Sequence, residues 1–349
     1  MSIKIGMISL GCPKNQVDAE MMLNALDKAG YEIVPAETDA EVIIVNTCGF
    51  IEAAKTEAVE NILEAAAYKK EGTLRALIVT GCLAERYRED ILEEMPEVDA
   101  VVSIGKNGDI AKIVEETLNR NKGLCYNAEK TDLCIDDERM LSTPFYMAYL
   151  KIAEGCDNCC TYCAIPSIRG RFRSRKIENI IKEAKALAQK GVKELVVIAQ
   201  DTTRYGEDLY GEPSLAKLLG ALSEIEGIEW IRTLYTYPDR ITDELIDVVA
   251  CNDKIVNYFD IPIQHCNANI LKRMNRRGDK KSLVGLIEKI REKIPNVTLR
   301  TSLITGFPGE TEENFSELCE FVGQVRFDRL GCFAFSAEED TPAAEYPNQ

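Results

Sequence analysis

Short apolar runs recur along the first 120 residues, each closing at a small or polar turn. "IKIGMISLGC" ends in Cys12, "AEVIIVNTCG" carries Cys48 at its end, "LRALIVTGC" ends in Cys82, and "VDAVVSIG" is a fourth run. Val/Ile/Leu runs of this kind, without strict alternation, predict buried parallel strands. Helical stretches lie between them. "NQVDAEMMLNALDKAG" stops at Gly30, "TEAVENILEAAAYKK" is rich in Ala and Glu with lysines in its last turn, and a third covers about 109–119. Alternating strands and helices predict an open parallel α/β sheet.

Each of the three cysteines sits just past the carboxyl end of its strand. Ligands of open α/β sheets bind along that edge. Three strands of one parallel sheet would therefore bring Cys12, Cys48 and Cys82 to a common rim. The competing reading is three unrelated small core residues, since free cysteine is often buried.

Residues 121–146 are polar and lack a clear period, which predicts a linker. Then the pattern restarts. "YMAYLKIA", "KELVVIAQD", "EWIRTLY", "NYFDIPIQ", "NVTLRTSLITG" and "RLGCFAFS" predict strands. Helical patterns fall between them at about 177–189, 214–225, 243–250, 270–293 (with a break expected at Gly278) and 312–323. Six βα units predict a partial six-stranded βα barrel over 147–340, with 341–349 as a tail and 1–120 as the first domain. Such barrels place their active sites at the carboxyl ends of the strands.

Composition narrows the chemistry. The 349 residues hold 46% hydrophobic positions, enough for two ordinary cores. No apolar run approaches the roughly 18 residues of a membrane helix. The start "MSIKIGMISLGCPKN" lacks the features of a secretory signal, so a soluble cytoplasmic protein is expected. Thirteen cysteines in a reducing compartment lean towards metal binding or catalysis. One histidine, His265, excludes a two-histidine zinc protease site. Net charge is −16 and uneven: residues 1–140 carry 15 Lys+Arg against 27 Asp+Glu, a net of −12. That half suits a basic protein partner better than nucleic acid, unless the acidity serves only solubility.

The densest chemistry is "EGCDNCCTYCAIPSIRG", with Cys156, Cys159, Cys160 and Cys163 inside eight residues. A structural zinc site usually has two CxxC pairs a dozen or more residues apart, whereas Cys159 and Cys160 are adjacent. The bacterial ferredoxin run C-x2-C-x2-C-x3-C-P does not match either. Cys156, Cys160 and Cys163 form C-x3-C-x2-C. Three thiolates can hold three irons of a [4Fe–4S] cluster and leave the fourth iron open to S-adenosylmethionine.

C-x3-C-x2-C after the first strand of a partial barrel resembles the radical S-adenosylmethionine enzymes. "SLGCPKNQVDAE", "NTCGFIEAAKTEAVE", "TGCLAERY", "EGCDNCCTYCAIPSIRGRFRSR", "DIPIQH", "KRMNRR" and "ITGFPGETEENF" resemble their methylthiotransferase subfamily over about residues 3–345. Pro13 and "GFIEAAK" resemble the branch acting on an aspartate β-carbon of small-subunit ribosomal protein twelve. The tRNA adenosine 2-methylthiotransferase branch is the alternative. A non-catalytic iron–sulfur or zinc scaffold is the alternative of another class.

The resemblance implies two [4Fe–4S] clusters and S-adenosylmethionine. Cys156, Cys160 and Cys163 would hold the radical-generating cluster, and Cys12, Cys48 and Cys82 an auxiliary cluster that carries the transferred sulfur. One S-adenosylmethionine would methylate that sulfur. A second would yield a 5′-deoxyadenosyl radical that takes hydrogen from the aspartate. An electron donor such as a flavodoxin or ferredoxin is implied, with the ribosomal protein or the small ribosomal subunit as substrate and no membrane partner. Relatives continue into a small all-β TRAM domain, which this chain is expected to lack.

For the cofactor pocket the resemblance points to Gln200 and Asp201 near the amino group and Gln264 near the ribose. Tyr162, inside the loop, is open between packing against adenine and packing within the loop, and Arg276 has the guanidinium fork that suits the cofactor's carboxylate. Gly306, with Gly309, would let backbone approach the adenine. Cys159 is expected to be a neighbour rather than a ligand. Cys125, Cys134, Cys251, Cys266, Cys319 and Cys332 match no motif and are expected to be packing residues. Two basic stretches, 169–176 and 272–281, are open between a solvated face, pairing with acids, and cofactor or substrate contact.

Overall fold

The computed structural model describes residues 2–35, 37–119, 123–133 and 136–349. Cys134 lies outside the described residues. The chain divides into two compact units: residues 1–142 with 167–170, and residues 143–166 with 171–349.

In the first unit a six-stranded sheet is built from β1 (Lys4–Ser9), β2 (Glu32–Ile33), β3 (Val42–Thr47), β4 (Ala76–Gly81), β5 (Ala100–Val102) and β6 (Leu124–Tyr126). Every pair is parallel and the order is β2-β1-β3-β4-β5-β6. Strand side chains alternate between the two faces. Ile43, Val45, Leu77 and Val79 therefore pack with Ala58 and Ile62 of α2 (Glu52–Glu71) and Leu83 and Ile91 of α3 (Cys82–Glu94). Val42, Ile44, Ala76 and Ile78 pack on the other face with Met22 and Leu26 of α1 (Pro13–Lys28) and Ile113 and Val114 of α4 (Ile110–Asn119). Both faces are covered, which is why β3 and β4 are buried at every position and lack alternation in sequence.

Two features depart from the expected linker at 121–146. Leu124–Tyr126 forms β6 on the sheet edge. Arg139 is buried against Glu20 of α1, and Ser142 donates from its N–H and its hydroxyl to Glu20 Oε1 at 2.9 and 2.8 Å. A three-residue strand is too short to show a period.

The second unit carries β7 (Met147–Lys151), a small antiparallel pair of β8 (Ala153–Glu154) and β9 (Arg173–Ser174), then β10 (Glu194–Ile198), β11 (Trp230–Thr233), β12 (Tyr258–Gln264), β13 (Thr298–Thr305) and β14 (Arg329–Ala334). β7, β10 and β11 form one parallel sheet and β12, β13 and β14 a second. A parallel bridge between Ile231 and Ile255 spans the gap. The six parallel strands follow chain order, as the expected partial barrel requires. After α5 (Ile165–Arg169), its helices are α6 (Ile177–Gln189), α7 (Glu207–Tyr210), α8 (Leu215–Ser223), α9 (Asp243–Cys251), α10 (Ala268–Arg273), α11 (Lys280–Lys293) and α12 (Glu312–Val325). The helical stretch near 270–293 is broken around Gly278, as expected, and Asp279 caps α11 reciprocally with Ser282. The expected tail at 341–349 is packed: Ala343 is fully buried and its N–H donates to Thr161 O at 2.9 Å.

Among the described residues, no helix is long and apolar enough to cross a membrane.

Candidate functional site

The order β2-β1-β3-β4-β5 reverses direction between β1 and β3, the switch point where open α/β sheets bind ligands. Cys12 follows β1 and precedes α1, Cys48 directly follows β3, and Cys82 opens α3 directly after β4. These strands are neighbours, so the three cysteines share one rim.

Glycines let the three turns close on each other. Gly11 has φ +91°, and a Cβ there would stand 2.9 Å from Cys48 Cβ and 3.2 Å from its Sγ. A Cβ at Gly49 would meet Leu83 N at 2.8 Å, and one at Gly81, φ +93°, would meet Thr47 N at 2.6 Å. Such distances are not tolerated, so each motif's glycine is required by its neighbour's backbone or cysteine. Asn15 ties the turns together: its Nδ2 donates to Thr47 O at 2.8 Å and Leu10 O at 3.2 Å. Asn46 Nδ2 in turn donates to Asn15 O at 2.8 Å.

The three thiols also feel one another's charge. Burial pushes Cys82 up to about 11; negative charge on Cys12 and Cys48 adds to this and Arg169 opposes it. Cys48 is raised by burial and by Cys12. Burial alone would raise Cys12, but Lys14, Arg169 and backbone N–H groups together bring it below the ordinary thiol value. Binding to metal reverses the penalty outright, because a coordinating thiol is deprotonated. Among the described residues no three Cys, His, Asp or Glu side chains could hold a single metal ion. A cubane asks for something else, since each thiolate goes to its own iron. Three thiols on one rim, with glycine wherever a Cβ would intrude, fit that group.

The second cysteine group lies at the carboxyl end of β7. Cys163 N–H donates to Cys160 O at 3.0 Å, and the loop is fastened by Thr161 N–H to Met274 O at 3.1 Å and by Asn275 Nδ2 to Cys159 O at 2.9 Å. Cys159 is exposed with φ +50°, whereas Cys156, Cys160 and Cys163 are half-buried. Burial pushes Cys156 up to about 12, with Asp201 and Cys160 adding to it. Burial likewise raises Cys163, and the charges of Cys160 and Cys156 add to it.

The other expected residues take specific places. Gln200 Nε2 donates to Glu154 Oε1 at 3.0 Å, while its buried Oε1 has no partner. An orphaned acceptor at a strand end suits an amino group that the structure does not contain. Asp201, fully buried, accepts from Asn158 Nδ2 at 2.8 Å and from Thr203, so it holds the cysteine loop. Burial raises its carboxyl despite those donors. Arg276 is buried: one Nη donates to Pro262 O at 2.5 Å, the other reaches Tyr162 Oη at 3.5 Å and Cys160 Sγ at 3.8 Å, and the group lies 4.0 Å from the Tyr237 ring centroid. Tyr162 packs edge-on to Phe307 beside Ile270, Met274 and Ala343. Gln264 has φ +73° at the end of β12, just past a register shift. Gly306 has φ +72° with open space where a Cβ would stand. Gly309 differs, because a Cβ there would stand 2.9 Å from the Arg273 guanidinium carbon.

The motif-free cysteines are not uniformly packing residues. Cys266 is buried, but Cys251, Cys319 and Cys332 are exposed and Cys125 is half-buried. The run 169–176 is not one solvated face either. The Arg169 side chain is 1% exposed against Asp18, Arg171 is 87% exposed, and Arg175 is buried against Glu183. Sequence gave no sign that Arg169, Asn15 and Asn46 belong to the three-cysteine rim, because burial within a basic run carries no periodic signal.

Residues 4–103 match the family described as "Uncharacterized protein family UPF0004", and residues 150–322 match the "Radical SAM superfamily". The ribosomal protein uS12 methylthiotransferase RimO of Clostridioides difficile (strain 630) is 54% identical over 346 residues, covering 99% of this chain and 78% of the relative. The protein of the same name from Geobacter sulfurreducens is 52% identical over 348 residues, with 99% and 78% covered. Among solved structures, the radical S-adenosylmethionine methyltransferase TsrM from Kitasatospora setae, with cobalamin and a [4Fe–4S] cluster bound, has a TM-score of 0.69 at 12% identity, covering 98% of this chain and 74% of that one. The cobalamin-dependent S-adenosylmethionine radical enzyme OxsB gives 0.63 at 14%, covering 98% and 54%. At such identity these two speak to the fold alone, and they agree with the expected α/β architecture.

Proposed function

The chain belongs to the ribosomal protein uS12 methylthiotransferase RimO family of radical S-adenosylmethionine enzymes, and from that premise we infer how its residues divide the work. It is a methylthiotransferase that uses [4Fe–4S] clusters and S-adenosylmethionine to methylthiolate the β-carbon of an aspartate in ribosomal protein uS12. Cys156, Cys160 and Cys163 hold the radical-generating cluster in this reading, and Cys12, Cys48 and Cys82 hold the auxiliary one. When bound, these groups supply the one-electron chemistry and carry the methylthio group. The protein's share is to position and shield. Gln200 Oε1 accepts from the cofactor's amino group. Arg276 bridges Cys160 and Tyr162 and fixes the loop's electrostatics rather than standing free for a carboxylate. Asp201 orients the same loop through Asn158. Gly306 leaves backbone open to an adenine, and Gln264, at the end of β12, faces the same strand-end rim as Gln200.

The observation that carries this assignment is the convergence of the three motif cysteines at the β1/β3 switch point, with glycine at each crowded turn. Anaerobically reconstituted protein should hold about eight irons, four per cubane. Cys48→Ala should lose about half of that iron, still release 5′-deoxyadenosine, and make no methylthiolated product. Wild-type transfer by this variant would overturn the division of labour.

The reaction needs an electron donor. We assign an acidic flavodoxin or ferredoxin to a cleft of about 310 Å³ beside the cysteine loop, where Arg204, Arg240, Lys272, Arg276 and Arg277 outnumber Asp157 and Asp239. A cationic rim steers an acidic partner. The cytoplasm, where cysteines stay free, is the setting. The net charge of −12 over residues 1–140 supports a basic protein substrate, free or within the small ribosomal subunit, over tRNA.

A further inference from the structure

A buried cation stands against the three-cysteine rim, and nothing in the reaction described so far uses it. Arg169 is 1% exposed and belongs to the same compact unit as Cys12, Cys48 and Cys82. Its Nη1 donates to Asp18 Oδ2 at 2.6 Å. Its Nη2 donates to Asn15 Oδ1 and stands 3.6 Å from Cys82 Sγ. Asn15 is the side chain that ties the turns after β1 and β3, so the guanidinium is held by the frame of the site itself. Burying an arginine is costly unless it is paired and hydrogen-bonded. Here the Asp18 carboxylate pairs with it, and Nη2 points at sulfur and at the Asn15 amide oxygen.

We propose that Arg169 is a positioning residue of the auxiliary site: its fixed charge offsets the negative charge that three thiolates and a bound iron–sulfur cluster bring to this rim, and so raises the cluster's reduction potential and slows its loss. The inference rests on the reading of Cys12, Cys48 and Cys82 as cluster ligands. The physics is that of any buried charge beside a redox group. Reduction adds an electron, a nearby cation stabilises the more negative state, and net charge and hydrogen bonds to sulfur are among the levers that set cluster potentials. Lysine would keep the charge but not the fork that reaches Asp18 and Asn15 together.

The test uses the full chain with Cys156, Cys160 and Cys163 replaced by alanine, reconstituted anaerobically, so that only the auxiliary cluster is observed. Arg169→Met should shift its midpoint potential downward and release iron to a chelator several-fold faster than the parent. Arg169→Lys should recover part of both. Asp18→Asn, which removes the anion and keeps the cation, should shift the potential upward. Opposite shifts for Arg169→Met and Asp18→Asn are what a charge role requires. Shifts of the same sign, no shift in either, or equal loss of iron from the Met and Lys variants would reduce Arg169 to a structural prop and overturn the proposal. A parent that takes up no iron at all would instead overturn the assignment of the three cysteines.

Discussion

Gln200 stands just past the end of β10 with incomplete hydrogen bonding. Its amide donates to Glu154, and its buried carbonyl oxygen has no partner. A buried acceptor left unsatisfied costs about 1–3 kcal/mol, so a ligand donor that reaches it recovers that cost on binding. Gln200→Ala should therefore raise the S-adenosylmethionine concentration for half-maximal 5′-deoxyadenosine release by roughly tenfold, the equivalent of about 1.4 kcal/mol. Iron content should stay unchanged. An unaltered concentration dependence would remove Gln200 from the pocket. The meeting of Cys12, Cys48 and Cys82 on one rim was legible in the sequence because their strand-end placement is a local fact. The residues around them were not. Arg169 and Arg171 are two positions apart in one basic run, yet one is buried against Asp18 and the other is 87% exposed. That difference is made by a partner some 150 positions away in the chain, which local pattern does not contain.

At the scale of elements, the long strands and most helices followed from apolar runs and Ala/Glu/Leu-rich stretches. The failures are the short or abrupt pieces: β6 has three residues, and α3 begins at Cys82 with no loop after β4. The turn after β13 shows how a cap shapes stability. Glu310 Oε2 accepts from Phe307 N–H at 3.1 Å, and its Oε1 lies 3.4 Å from His265 Nε2. His265 Nδ1 accepts from Asn267 N–H at 2.9 Å, so the ring proton sits on Nε2 and is donated to Glu310. Burial alone would raise the Glu310 carboxyl, but His265 and the N–H groups of Phe307 and Gly306 hold it below the usual value. A carboxylate whose folded pKa is depressed contributes stability above its unfolded pKa, and loses it as pH falls through the lowered folded value. Glu310→Gln should thus lower Tm at pH 7 by roughly 2–4 °C, the effect of about 1 kcal/mol in a unit of this size. The gap between variant and parent should close as pH drops below about 4.3. A gap that is constant across that range would mean that packing rather than charge holds the turn.

For the whole molecule, charge is what distinguishes the partners. The cleft beside the cysteine loop is cationic, and Lys272 and Arg277 on its rim are exposed. The double variant Lys272→Glu/Arg277→Glu should slow 5′-deoxyadenosine release when a reduced flavodoxin supplies electrons, and leave it unchanged with dithionite, which needs no docking. Equal rates with both reductants would clear the cleft of that role. The substrate is governed by the opposite charge. Residues 1–140 carry a net −12, which repels tRNA phosphates and attracts a basic ribosomal protein. Attraction between exposed charges is screened within a Debye length of about 10 Å at 0.1 M salt and 3 Å at 1 M. Transfer to uS12 should therefore show an apparent association rate that falls steeply between low and high salt, while S-adenosylmethionine cleavage without substrate stays level. With uS12 or small ribosomal subunits, mass spectrometry should find an increment of about 46 Da on an aspartate-containing peptide, the replacement of H by SCH3 that the cofactors' chemistry dictates. Unmodified tRNA offered in parallel should remain unchanged. If the increment instead appeared on tRNA adenosine and not on the peptide, the acidic half would have no part in substrate choice, and the basic residues 272–281 would be the track to examine.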